Sequence, residues 1–143
     1  MARFERIILH CSATPPNMNI GVDEITRWHI ERGWRTCGYH YIIRRDGTTE
    51  LGRPVWQKGA HAKGHNDAVG ICMVGGVDAE GNPAMNFENV QFRAVRDLVA
   101  NLRAVFGNMV VLGHRDLPGV RKACPSFDVR ARMTARWCDG KNT

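Results

Sequence analysis

The sequence predicts an α/β (α+β) fold, a central sheet flanked by helices, and three observations carry that expectation. Short β-rich runs alternate with segments of helical periodicity, the pattern of helices layered on a sheet. An Asp-Gly pair, Asp46-Gly47, separates two strand-like runs and marks a hairpin, because glycine accepts the positive φ that a tight turn demands. The chain has 143 residues, 43% of them hydrophobic and 24% charged. That length and balance suit one globular domain over residues 1–143 with a core of its own, and exclude a disordered chain.

The elements follow in order. Phe4–Cys11 reads as a buried strand, since Ile7, Ile8 and Leu9 form a β-rich run ending at His10. Pro15-Pro16-Asn17 breaks the chain into a loop. Val22–Arg32 has helical spacing through Val22, Ile25 and Trp28 or His29, with Gly33 as its stop. Tyr39–Arg44 and Thr48–Leu51 flank the hairpin turn, and Val69–Val74 is a further apolar strand. Asn86 is the expected cap of a helix running to Phe106, its apolar face made by Val90, Ala94, Val95, Leu98, Leu102, Val105 and Phe106 and its end closed by Gly107. Met109–Leu112 is a short strand that delivers His114. Asp128 is the expected cap of a last helix, Val129–Trp137.

Five cysteines, an odd number, argue against a disulfide framework and for a reduced compartment. The apolar run Ile7–Leu9 is far shorter than the roughly 7–15 residues of a signal peptide, and no segment approaches the ~20 needed to cross a bilayer. The expectation is a cytoplasmic chain with no membrane insertion. A formal net charge of +6 fits an anionic partner or a solvated basic face equally well. The basic residues are dispersed without a nucleic-acid-binding module, so direct nucleic-acid binding is not expected. Nothing demands more than a monomer.

Of six histidines, His10 and His114 both follow apolar strands, where a sheet hands side chains to its edge. Cys124 lies in a loop stiffened by Pro118 and Pro125, which can return its sulfur to His114. Two imidazoles and a thiolate supply three zinc ligands and leave a fourth position open for water, the mark of a catalytic rather than a structural site. Cys11 adjoins His10, but neighbours on a strand face opposite ways, so only one of them reaches a metal. Cys37 and Cys72 read as small buried hydrophobes. A competing arrangement makes Cys124 a nucleophile activated by His114 and oriented by Asp116, though it leaves His10 without a task.

Six segments carry a family resemblance: His10-Cys11-Ser12-Ala13-Thr14, Gly38-Tyr39-His40-Tyr41-Ile42-Ile43, Asp46-Gly47-Thr48, His61-Ala62-Lys63-Gly64, Gly70-Ile71-Cys72-Met73-Val74-Gly75-Gly76 and Lys122-Ala123-Cys124-Pro125-Ser126-Phe127-Asp128. In these the chain resembles the N-acetylmuramoyl-L-alanine amidases of phage-lysozyme type, which share their fold with the peptidoglycan recognition proteins. The resemblance implies a mixed central sheet and Zn²⁺ held by His10, His114 and Cys124. It also implies Tyr39 and Lys122 as catalytic residues and His61 beside the substrate groove. The implied substrate is the peptidoglycan amide between N-acetylmuramic acid and L-alanine. The implied setting is a phage endolysin made in the host cytoplasm, reaching the wall after a separate membrane-permeabilising protein acts. Two alternatives stay open: a peptidoglycan-binding protein without turnover, and a regulator that also binds and inhibits the phage RNA polymerase. Arg115 and Asp116 depart from the phage pattern and receive no role from it.

Overall fold

A computed structural model describes residues 5–132. Its order is β1 (Arg6–Cys11), α1 (Val22–Glu31), β2 (Tyr41–Ile43), β3 (Thr49–Leu51), β4 (Val69–Met73), α2 (Asn89–Phe106), β5 (Val110–Gly113), a 3₁₀ turn (His114–Asp116) and α3 (Val129–Arg132). The strands form one five-stranded sheet in the order β3-β2-β4-β1-β5. The pairs β2–β4, β4–β1 and β1–β5 are parallel and β3 is an antiparallel edge, so the expected mixed sheet is present. Among the described residues no helix is long and apolar enough to cross a membrane.

The parallel register decides which side chains share a face. Ile7 lies opposite Val69, Leu9 opposite Ile71 and His10 opposite Cys72. Strand residues alternate between faces, so Ile7, Leu9, Val69, Ile71 and Met73 form one face and pack on Phe92, Val95, Val99 and Leu102 of α2. Phe87, Phe92 and Phe127 close this core as an edge-to-face triangle, with ring centroids 5.3 to 5.9 Å apart. The other face carries Ile42, Cys72 and Val74 against Ile20 and Ile25, beside a smaller cluster of Ile8, Ala62, Ala68 and Leu117.

The hairpin follows its turn chemistry: Gly47 has φ 88°, its N–H donates to the Arg44 carbonyl, and Asp46 accepts from the Thr48 N–H. Two expectations for α2 need correction. Asn86 does not cap it. Its amide accepts from Gly76 N–H and donates to Val77 O, which ties the preceding loop to the end of β4. The helix begins at Asn89, and the Gln91 side chain accepts from the Glu88 N–H at 2.9 Å instead. The buried stripe is also rotated, because Phe92 anchors the aromatic triangle and draws the 92, 95, 99, 102 row inward. Val90 and Val105 are therefore left 40% and 75% exposed. Asp128 accepts from the Ala131 N–H as a helix cap should; residues 133–137 of the expected last helix lie outside the described residues.

Candidate metal centre

Parallel strands point their C-terminal ends the same way, and the crevice beyond those ends is where open α/β sheets place their sites. β1 brings His10 there, 1% exposed. β5, the neighbour of β1, ends at Gly113 and passes directly into the 3₁₀ turn that starts with His114. The two rings lie 4.6 Å apart between centroids. The third residue arrives from the following loop, whose Cys124 carbonyl accepts the Arg115 N–H at 2.8 Å, while Ser126 Oγ donates to Gly76 O at 2.8 Å. The loop is thus bonded both to the His114 turn and to the end of β4.

The result is a convergent donor set. One ligand atom each from His10, His114 and Cys124 falls within 4.8 Å of the others, and His10 Nδ1 to Cys124 Sγ is 3.8 Å. A tetrahedral zinc with bonds of about 2.0–2.3 Å would hold its ligand atoms roughly 3.3–3.7 Å apart, so small side-chain movements suffice. Cys11 N–H donates to Cys124 Sγ at 3.2 Å, a contact suited to a sulfur that carries negative charge. Cys11's own side chain faces the α2 core, where its thiol meets Cys124 and Ser126 from the loop. Cys37 and Cys72 are buried among apolar residues of the α1 side.

Protonation fits the same reading. Burial, then the neighbouring His61, His114 and Lys122, hold His10 well below the ordinary imidazole range. Burial, Lys122 and His65 lower His114. Neutral imidazole is the form that binds metal. A side-chain hydrogen bond with the Cys11 thiol and burial push the Cys124 thiol up, against the lowering effect of the Cys11 backbone N–H; this is the reverse of what an activated cysteine nucleophile needs, and a coordinated cation deprotonates a thiol outright. Asp116 is engaged elsewhere too: its Oδ2 accepts the Gly113 N–H at 2.8 Å and caps the 3₁₀ turn. The Cys-His-Asp nucleophile arrangement is not assembled.

Beside this centre, meeting it at His114, opens a cleft of about 690 Å³ lined by Trp34, His61, Lys63, Asn66, His114, Arg121 and Lys122, among others. Among the described residues its charged lining side chains are all cationic. Lys122 is exposed on the rim, and its charge acts on both His10 and His114. The Tyr39 ring lies 5.1 Å from the His10 ring. Burial, with Cys72 and Cys124 nearby, raises its phenol well above the usual value, so Tyr39 stays a hydroxyl donor at neutral pH. His61 stands between the cleft and His10, its Nδ1 2.8 Å from His10 Nε2 and its Nε2 2.9 Å from the Ala68 carbonyl. Trp34, Lys63, Asn66 and Arg121 were not anticipated. Lys63 and Arg121 lie in or beside segments singled out above, and the excess of positive charge was their one signal; Trp34 and Asn66 carried none.

A sheet whose C-terminal edge presents two histidines and a cysteine beside an open basic cleft has a possible metal site of the kind hydrolases use. The chain belongs to the N-acetylmuramoyl-L-alanine amidase family, whose defining sequence pattern matches residues 1–127, and as such it is a peptidoglycan amidase. It is 49% identical over 126 residues to an endolysin of Klebsiella phage KP32, covering 87% of this chain and 82% of the relative. It is 46% identical over 127 residues to an endolysin of Escherichia phage T7, covering 88% and 83%. Among solved structures, the N-acetylmuramoyl-L-alanine amidase LysC from Clostridium intestinale superposes with a TM-score of 0.76 at 28% identity, covering 88% of this chain and 78% of that one. Drosophila PGRP-LB superposes with a TM-score of 0.76 at 24% identity, covering 100% and 88%, which speaks to the fold alone.

Proposed function

We propose that this chain is a zinc-dependent amidase of phage-endolysin type, with His10, His114 and Cys124 as the zinc ligands and Tyr39 and Lys122 as the catalytic residues. The observation that carries this reading is the convergence of those three donor atoms within 4.8 Å at the mouth of a cationic cleft. The bond to be cut joins the lactyl group of N-acetylmuramic acid to L-alanine of the stem peptide. Zinc, when bound there, supplies Lewis acidity and a water acidified to a pKa of about 7.

The chain's own residues supply the rest. The Lys122 ammonium, exposed at the rim with its charge felt by His10 and His114, offers positive charge to the oxyanion that develops as the amide carbonyl is attacked. Tyr39, kept protonated, donates a hydrogen bond to the same oxygen or orients the attacking water. Lys63 and Arg121 draw an anionic stem peptide into the cleft. The reading includes the setting: synthesis in the host cytoplasm, and access to the wall once a separate membrane-permeabilising protein acts; the likeness to phage endolysins supports it.

Turbidity clearing of purified sacculi tests it. The native protein is expected to clear them, to stop after a chelator has stripped it, and to resume when zinc is returned. Lys122→Ala is expected to bind zinc normally and to clear about 100- to 1000-fold more slowly, the range for losing an oxyanion-stabilising group. Full activity in the stripped protein, or in both Lys122→Ala and Tyr39→Phe, would refute the assignment.

A further inference from the structure

His61 lines the cleft, yet both of its ring nitrogens are engaged inside the protein. Its Nε2 lies 2.9 Å from the Ala68 carbonyl, and a carbonyl only accepts, so that nitrogen carries the hydrogen. In a neutral ring Nδ1 is then an acceptor, and its partner at 2.8 Å is His10 Nε2. His10 must therefore donate from Nε2, which leaves the lone pair of His10 on Nδ1, the nitrogen 3.8 Å from Cys124 Sγ. The relay runs from the Ala68 carbonyl through two imidazoles to the ligand atom, and each hydrogen bond sets the tautomer of the next ring.

The His61 ring is held for this purpose by its surroundings. A Cβ on Gly70 would lie 2.5 Å from His61 Cγ, and one on Gly59 would lie 2.5 Å from His61 Cδ2. Two glycines thus form a slot that no larger residue would leave open. Asn66 Oδ1 accepts from the backbone N–H groups of His61 and Ala62 at 2.7 and 2.8 Å, pinning the loop on which the ring is carried.

We propose that His61 is a positioning residue that acts through His10, fixing it as the Nε2–H tautomer with Nδ1 turned to the metal, and that it is not a substrate contact. This rests on the zinc reading above. Partners of a metal-bound histidine's second nitrogen are worth about 10- to 100-fold in metal affinity, and His61 occupies that place.

The test is zinc affinity by competition with a chromophoric chelator, on the full chain. His61→Ala is expected to bind zinc about 10- to 100-fold more weakly, with KM for sacculi unchanged at saturating zinc. His61→Gln, whose side-chain carbonyl accepts the His10 N–H, is expected to regain most of the affinity. Should the variants fold poorly, ¹⁵N NMR of the metal-free native protein is expected to show both His10 and His61 as Nε2–H tautomers. Native zinc affinity with a raised KM in His61→Ala, or His10 protonated on Nδ1, would overturn the proposal. A native protein that takes up no zinc would overturn the metal reading itself, an outcome distinct from equal affinities in native and variant proteins.

Discussion

The two faces of the sheet are made by the same strands, residue by residue in alternation, and they do different work. On the α2 side β1 contributes Ile7 and Leu9, and β4 contributes Val69, Ile71 and Met73, all buried among aliphatic and aromatic partners. The buried polar side chain of α2 there, Gln91, donates to the Ile43 and Val74 carbonyls. On the other side, moving one residue along β1 exchanges Leu9 for His10, and His10, His61 and His40 are buried or half-buried with their ring nitrogens bonded. One face stabilises the fold by buried area; the other buries Ile8, Ile42, Cys72 and Val74 as well, and beside them holds imidazoles in chosen orientations by hydrogen bonds. A buried polar group costs stability unless it is paired, so the second face is safe only while its network is complete.

That contrast predicts separable failures. The largest effect is expected from Cys124→Ser, which exchanges the proposed soft ligand for a hydroxyl of similar size at the edge of the α2-side core, against which Cys124 packs. It should give a folded protein, by far-ultraviolet circular dichroism, that has lost bound zinc and turnover together. Retained turnover would mean that the two faces are not divided as described. Phe92→Ala attacks the other face, removing one corner of the aromatic triangle. It is expected to lower stability by about 3–5 kcal/mol in urea titration, while the fraction still folded keeps native zinc affinity.

The smallest effect is a pH slope. His29 is a buried residue of α1, and its Nδ1 accepts the Gly38 N–H at 2.8 Å. Burial, then Arg32 and Arg53, depress it to about 4, below the ~6.5 of an unfolded histidine. Between those values the unfolded chain takes up a proton that the folded chain refuses. Its contribution is therefore complete above about pH 6.5 and is lost as pH falls towards about 4. Metal-free protein should lose stability across that window, and His29→Gln should flatten the slope; an identical slope in the variant would remove His29 from the account.

Much of this was legible before any coordinates. His10 and His114 each end an apolar run, and a parallel sheet necessarily brings such ends together. Cys124 was readable because prolines confine its loop. The capping of α2 was not, since Asn86 is a good cap by type and only the long-range path of the loop after β4 diverts it to Gly76 and Val77. Val90 and Val105 looked like core because they share a helical period with it, and the aromatic triangle that turns the helix depends on Phe127, 35 positions after Phe92. The cleft residues Trp34 and Asn66 carry no local signature at all. His61 was expected beside the groove and lines the cleft; its bonds to His10 and Ala68 exist only in three dimensions.

His10, His114 and Cys124 are proposed to hold a metal that serves one particular bond. Mass spectrometry of peptidoglycan digested by chelator-stripped protein, with and without added zinc, addresses it most directly. Free stem peptides bearing an L-alanine amino terminus are expected to appear with zinc and not without it. Products cut only in the glycan or within the peptide, or the same peptides released without metal, would contradict it.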